Sequence, residues 1–208
     1  MTINNPVLIS TDELAQQLSS DPPRLLDIRW TLASPDGSAA YRAGHIPGAV
    51  YVDLDAELSD HAVAGRGRHP LPSAAALQDS ARRWGLNPGE PVVVYDDWNA
   101  QAAARAWWLL RAAGLYDVRI LDGGWSAWQE AGLPIESGDV VPERGSVVID
   151  TLDSMPVVDA DAVAVQAGSA GHAVLDARAG ARYRGDEEPL DPRAGHIPGA
   201  VSAPTAGR

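Results

Sequence analysis

Anion chemistry is suggested most directly by one stretch of this 208-residue chain, Pro91-Val92-Val93-Val94-Tyr95 followed by Asp96-Asp97-Trp98-Asn99-Ala100. A continuous β-branched strand runs into a short polar loop, and the loop runs into a helical segment over residues 102–113. Backbone N–H groups in such a connection converge on one point and, together with the helix N-terminus, favour negative charge there. The residue that follows the strand is Asp96, whose carboxylate supplies that charge itself. The loop is therefore expected to be self-satisfied, with Asp96 in a structural or interface role. A phosphoryl-accepting aspartate would need a second aspartate two positions on for acid/base work, and Trp98 stands there instead. The chain has no cysteine, which removes thiol nucleophiles, thiolate metal sites and disulfides together.

The elements that position this loop can be read from sequence punctuation. Ser10-Thr11-Asp12-Glu13 has the form of a capping box opening a short helix, with Leu14 and Leu18 four apart on its buried side. Residues 24–28 form a short apolar strand, and residues 41–50 are expected as a loop closed by the Ile46-Pro47-Gly48 turn, with an extended segment after it. Ser73 caps a helix reaching about Trp84, where Gly85 stops it. Residues 118–121 give another strand, and residues 125–131 another helix. Strands alternating with helices predict an α/β fold with a central parallel sheet flanked by helices on both faces.

The chain also repeats itself. Arg42 to Val50, RAGHIPGAV, recurs letter for letter from Arg193 to Val201. Leu25-Leu26-Asp27-Ile28-Arg29 is echoed by Val174-Leu175-Asp176-Ala177-Arg178, and Asn4-Asn5-Pro6-Val7 by Ser154-Met155-Pro156-Val157. Two homologous units in tandem follow: one complete copy over residues 1–133, a proline-containing linker over 134–156, and the first part of a second copy over 157–208. His45 and His196 occupy identical contexts, so both are expected to fix turns by bonding backbone carbonyls. No two of the five histidines stand at ligand spacing with a carboxylate partner, so no metal site is expected. Gly123-Gly124 reads as a tight strand-to-helix turn, because neither G-x-G-x-x-G nor a Walker lysine accompanies it. Trp107, Trp108, Trp125 and Trp128 fall at helical spacings and read as core.

Bulk properties narrow the partners. Twenty-eight acidic against sixteen basic side chains give a net charge of −12, with no basic stripe to meet a phosphate backbone, so nucleic acid is set aside. No apolar run approaches the roughly 18 residues of a membrane span and MTINNPVLIST lacks signal-peptide regions, so a cytoplasmic location and no membrane contact are expected.

Several motifs in order, Leu26-Asp27-Ile28-Arg29-Trp30, Tyr41 to Ala49, Val93-Val94-Tyr95-Asp96-Asp97, the helix from Ala103 to Arg111 and Leu121-Asp122-Gly123-Gly124-Trp125, resemble those of rhodanese domains. Leu175-Asp176-Ala177-Arg178, Ala181 to Gly185 and Glu188-Pro189 resemble the start of the C-terminal domain of thiosulfate and 3-mercaptopyruvate sulfurtransferases. The resemblance implies a rhodanese-like fold whose first domain is non-catalytic. It implies transfer of sulfur from thiosulfate or 3-mercaptopyruvate to a thiophilic acceptor, such as cyanide or a thiol, through a cysteine persulfide in the second domain and without a cofactor. That cysteine would sit where Asp96 sits in the first copy. Asp96 lies 51 residues after His45, which puts its counterpart about 40 residues beyond Arg208. On this reading the chain lacks the active-site loop and is inactive by itself. Its partners would be the small sulfur donor and acceptor, and either the remaining C-terminal piece or another chain covering the incomplete second domain. Arg182 and Arg193 match family positions that bind the donor's anionic group, with surface pairing to Asp186, Glu187 or Glu188 as the alternative. Arg178, beside Asp176, reads as structural, and Trp30 as either cleft-lining or core. The alternative for the whole chain is a non-catalytic rhodanese module that binds an anion or a partner protein.

Overall fold

A computed structural model describes residues 6–205; Asn4 and Asn5 of the upstream echo lie outside the described residues. The chain divides into two compact units, one ending at Met155 and the other starting at Pro156.

The first unit is built on a five-stranded, all-parallel sheet. Its strands are β1 (Leu8–Ile9), β2 (Arg24–Asp27), β3 (Val50–Tyr51), β4 (Val92–Tyr95) and β5 (Val118–Leu121), in the order β1-β5-β4-β2-β3. The helices between them are α1 (Thr11–Leu18), α2 (Ser38–Ala43), α3 (Leu54–Glu57), α4 (Ala74–Arg83), α5 (Gln101–Ala112) and α6 (Gly124–Glu130). All four residues of β4 are buried, and alternation sorts them between two cores. Val92 and Val94 join Leu26, Leu54, Leu77, Trp84 and Leu109 on one face. Val93 and Tyr95 join Ile9, Leu14, Leu25, Trp125 and Trp128 on the other. Both faces are thus covered, which is why β4 is continuously apolar. Trp107 and Trp108 are only partly buried, against the edge of the first cluster.

Chain direction gives the sheet a functional edge. From β2 the chain crosses to β3 on one side, and from β4 to β5 on the other, so β2 and β4 flank the point where the winding reverses. Loops leaving the C-terminal ends of two such strands diverge and open a crevice. Residues 28–30 leave β2 there, and residues 96–100 leave β4.

Two segments depart from expectation. Residues 38–43 form α2 rather than loop, beginning at Gly37, which offers no capping side chain for a sequence reader to notice. Of residues 134–156, read as linker, all but Pro156 belong to the first unit and run along it without regular secondary structure. His45 and Glu136 exchange backbone hydrogen bonds of 2.9 and 3.0 Å, Arg82 Nε donates to the Val147 carbonyl at 2.8 Å, and Val147 and Ile149 are buried. The strap's backbone bonding is supplied by helix ends and loops, a long-range arrangement with no local signature.

The second unit holds α7 (Ala160–Gln166), α8 (Gly180–Arg184) and a two-stranded parallel sheet of β6 (Leu175–Asp176) and β7 (Val201–Ser202). Among its described residues only Ala200 is buried, while Leu175, Ile197 and Val201 stay about half exposed or more. Among the described residues no helix is long and apolar enough to cross a membrane.

At the C-terminal end of β2, Asp27 is fully buried beside Arg29, whose Nη2 donates to Asp27 Oδ2 at 3.1 Å and to the Gly44 carbonyl at 2.7 Å. Arg29 Nη1 also donates to the Ala40 carbonyl, and the guanidinium lies 4.5 Å from the centre of the Trp125 ring. Burial pushes the Asp27 carboxyl up to about 7, against the opposing pull of Arg29. A carboxyl raised above its unfolded value binds more protons in the folded state, so its contribution is fullest in acid and is lost as pH rises from about 4 to about 7. We predict that the stability of Asp27→Asn relative to wild type improves across that window, by at most roughly 1.4 kcal/mol per pH unit. Urea unfolding of both proteins at several pH values checks this; a pH-independent difference would contradict it.

Candidate functional site

Asp96 is 1% exposed and stands at the first position after β4. Its Oδ1 accepts hydrogen bonds from the backbone N–H of Trp98 and of Ala100, and its Oδ2 from that of Ala103, all at 2.9 Å. The loop achieves this convergence by bending left-handed at two successive non-glycine residues, Asn99 (φ 52°) and Ala100 (φ 60°). For alanine that conformation costs on the order of 1–2 kcal/mol. Ala100 caps α5 without a side-chain acceptor, so the Ala103 N–H in the first turn has no local partner, and Asp96 supplies one from across the loop. The Asp96 carbonyl in turn accepts from Trp125 N–H at 2.8 Å. Gly124, beside it, has φ of 55°, and a Cβ there would lie 2.4 Å from that carbonyl oxygen. Glycine is therefore required by the close approach of α6 to the loop, a packing reason for the Gly123-Gly124 pair.

Around the same sheet edge lies an aromatic and histidine cluster that sequence spacing did not reveal. The Trp30 ring lies 5.5 Å from that of Trp98 and 5.3 Å from that of His69. Trp30 is 8% exposed, and its Nε1 donates to Asp55 Oδ2 at 3.1 Å. Asp55 Oδ1 sits 3.2 Å from His69 Nδ1 and 3.5 Å from His61 Nε2. No two histidines stand at ligand spacing with a carboxylate in the sequence, yet the fold brings His61 and His69 to the same Asp55 carboxylate. The ligand-bearing atoms of Asp55, His61 and His69 all fall within 4.8 Å of one another. Separations of six and eight residues match no helical or hairpin ligand pattern; the residues meet because the segment after α3 folds back on itself, with the Asp60 N–H bonded to the Pro70 carbonyl. Burial lowers the His69 pKa, with Asp55 pulling the other way.

The second unit repeats the first copy's local geometry. His45 Nδ1 lies 2.9 Å from the Tyr41 carbonyl and its ring stacks on Tyr41; His196 Nδ1 lies 2.7 Å from the Tyr183 carbonyl and stacks on Tyr183. The Tyr41 hydroxyl donates to the Ala49 carbonyl, and the Tyr183 hydroxyl to the Ala200 carbonyl, both at 2.8 Å. Arg29 reaches the Gly44 carbonyl, and Arg178 the Gly195 carbonyl. These are the carbonyl-bonding histidines expected from the repeat. Arg182 is held by Glu188, at 2.7 Å, and by Asp191, at 2.9 Å. Its hydrogen bond holds the Glu188 carboxyl down to about 2. Arg193 is exposed and lines an open recess with Asp176, Arg178 and His196, and Arg182 is not among the lining residues.

Comparison with known proteins agrees with this geometry. The Rhodanese-like domain family matches residues 10–131. The chain belongs to the rhodanese family. This rhodanese is 53% identical over 206 residues to a putative thiosulfate sulfurtransferase, SseB, of Mycobacterium tuberculosis, covering 99% of the chain and 72% of that relative. It is 44% identical over 199 residues to a probable 3-mercaptopyruvate sulfurtransferase of Pseudomonas aeruginosa, covering 94% and 70%. The crystal structure of the 3-mercaptopyruvate sulfotransferase SseA from Escherichia coli superposes with a TM-score of 0.80 at 34% identity, over 96% of this chain and 75% of that one. The rhodanese fold is therefore established, and its relatives are sulfurtransferases.

If the Asp96 carboxylate holds the loop together, removing it leaves three N–H groups without their acceptor. We predict that Asp96→Ala destabilises the first unit by about 2–4 kcal/mol. Asp96→Asn, which keeps the shape but turns one acceptor into a donor, should cost less than alanine yet more than about 1 kcal/mol. Urea unfolding midpoints give the comparison, and changes under about 0.5 kcal/mol for both variants would refute the role.

Proposed function

We propose that this rhodanese belongs to a sulfur-transfer system in which a cysteine persulfide forms on the second copy, and that residues 1–208 alone carry the supporting machinery without the nucleophile. The observation that carries this reading is the amide pocket at the end of β4, filled by Asp96 in a chain with no cysteine. A pocket of converging N–H groups stabilises a thiolate and then the outer sulfur of a persulfide, because both are anions. In the transfer step the thiolate would attack the sulfane sulfur of thiosulfate; the new S–S bond forms as the donor's S–S bond breaks, and sulfite leaves with the electron pair. The persulfide then gives its outer sulfur to cyanide or a thiol and the thiolate is regenerated. A carboxylate in the same pocket is neither a soft nucleophile nor a vacancy for the donor.

Arg193 and Arg182 are the proposed binders of the donor's sulfonate or carboxylate. Arg193 is exposed and makes no ion pair among the described residues, so it can receive an anion directly. Arg182 would first exchange Glu188 and Asp191, which already occupy its guanidinium. We further infer that β6 and β7 are covered in the working protein by additional polypeptide, from the second copy itself or from another chain. What supports this is the exposure of Leu175 (65%) in β6 and Val201 (54%) in β7, with Ile197 (49%) in the turn that leads into β7.

Residues 1–208, assayed with thiosulfate and cyanide, should give thiocyanate no faster than the protein-free reaction, and sulfur-labelled thiosulfate should leave no covalent label. Turnover well above that background would mean that a residue other than cysteine serves as the sulfur carrier.

A further inference from the structure

We propose that Asp55, His61 and His69 form a binding site for a divalent transition-metal cation of the Zn2+ class, at the C-terminal edge of the first unit's sheet. The donor set, two imidazole nitrogens and one carboxylate oxygen, is the borderline N/O chemistry that Zn2+, Co2+ and Ni2+ prefer to hard Mg2+ or Ca2+. A tetrahedral ion with bonds of about 2.0–2.1 Å spaces its ligand atoms about 3.3 Å apart. Asp55 Oδ1 already stands 3.2 Å from His69 Nδ1 and 3.5 Å from His61 Nε2. The third separation lies within 4.8 Å, and His61, the exposed member of the three, is the side chain with room to close the triangle.

The pairwise contacts are not self-sufficient hydrogen bonds. Asp55 Oδ1 and His69 Nδ1 are both out of reach of water, and neither has a hydrogen-bond partner, although they are 3.2 Å apart. Two buried polar atoms aimed at the same small space, and bonded to nothing, are the arrangement that a cation between them would satisfy. The surroundings hold these atoms in place. Trp30 Nε1 donates to the other Asp55 oxygen, as an outer-shell donor does in a metal site. Asp53 Oδ1 accepts from the N–H groups of Asp55 and Ala56, fixing the start of α3. Arg105 donates to the carbonyls of Leu58, His69 and Pro70, clamping both ends of the segment that carries the histidines. With three protein ligands the ion would keep a position open for water or another ligand.

The site is independent of sulfur transfer and is tested without it. Titration of Zn2+ into the untagged chain by calorimetry, with Co2+ followed by visible absorption, should show one equivalent bound at micromolar or tighter affinity. His61→Ala and His69→Ala should each weaken binding by on the order of 100-fold, and Trp30→Phe by about 10-fold. Asp55→Asn, which retains an oxygen for Trp30 and so keeps the fold, should also weaken it strongly. His172→Ala, on the second unit, should leave it unchanged. Absence of a one-equivalent site, or a site that survives both His61→Ala and His69→Ala, would overturn the proposal.

Discussion

Convergence of backbone N–H groups on a single buried negative charge at the end of the central strand is the constraint on which this structure turns. A parallel strand buried on both faces must end somewhere, and the next helix must begin with N–H groups that have no partner within the helix. In this chain the two demands meet at Asp96. Its carboxylate gathers the amides of the loop and of the first turn of α5, and the left-handed conformations of Asn99 and Ala100 make that gathering possible. The neighbouring elements are arranged around the same loop. Gly124 lets α6 approach the Asp96 carbonyl, and Trp98 projects to meet Trp30 across the divergence between β2 and β4.

A second buried charge organises the other side of that divergence. Arg29 links the end of β2 to the carbonyls at the end of α2, and the strap through Glu136 closes over His45. The second copy rebuilds this corner with Asp176, Arg178, Tyr183 and His196, down to the same tyrosine–histidine stacking and matching contacts to the carbonyls of Tyr183, Gly195 and Ala200. Retention in both copies marks the corner as part of the fold rather than of the chemistry.

Much of this was legible in the sequence because it is encoded locally. The capping box at Ser10 and Glu13, the cap at Ser73, the run of valines in β4 and the helix stop at Gly85 each specify their element through nearest-neighbour chemistry, and the letter-for-letter repeat of residues 42–50 exposes the duplication. Asp96 could be placed because strand, loop and helix follow one another directly. The parts that escaped depend on contacts between residues far apart in the chain. Helix α2 starts at a glycine with no capping side chain, and β1 is a two-residue strand defined only by its pairing with β5. The strap of residues 134–155 looks like linker because its partners lie up to 99 residues away, as between Val140 and Tyr41. Asp55, His61 and His69 were missed for the same reason: an irregular segment brings them together, and irregular segments have no period to read.

The most direct test of the pocket's electrostatic character is the acidity of a thiol placed in it. Asp96→Cys puts a single cysteine among the N–H groups of Trp98, Ala100 and Ala103, and its ionisation can be followed by thiolate absorbance against pH. If the converging amides govern the site, the thiol titrates at least one to two units below the ordinary value of about 8.5. A pKa at or above about 8.5 would show that burial outweighs the amides, and that this loop is not an anion pocket at all.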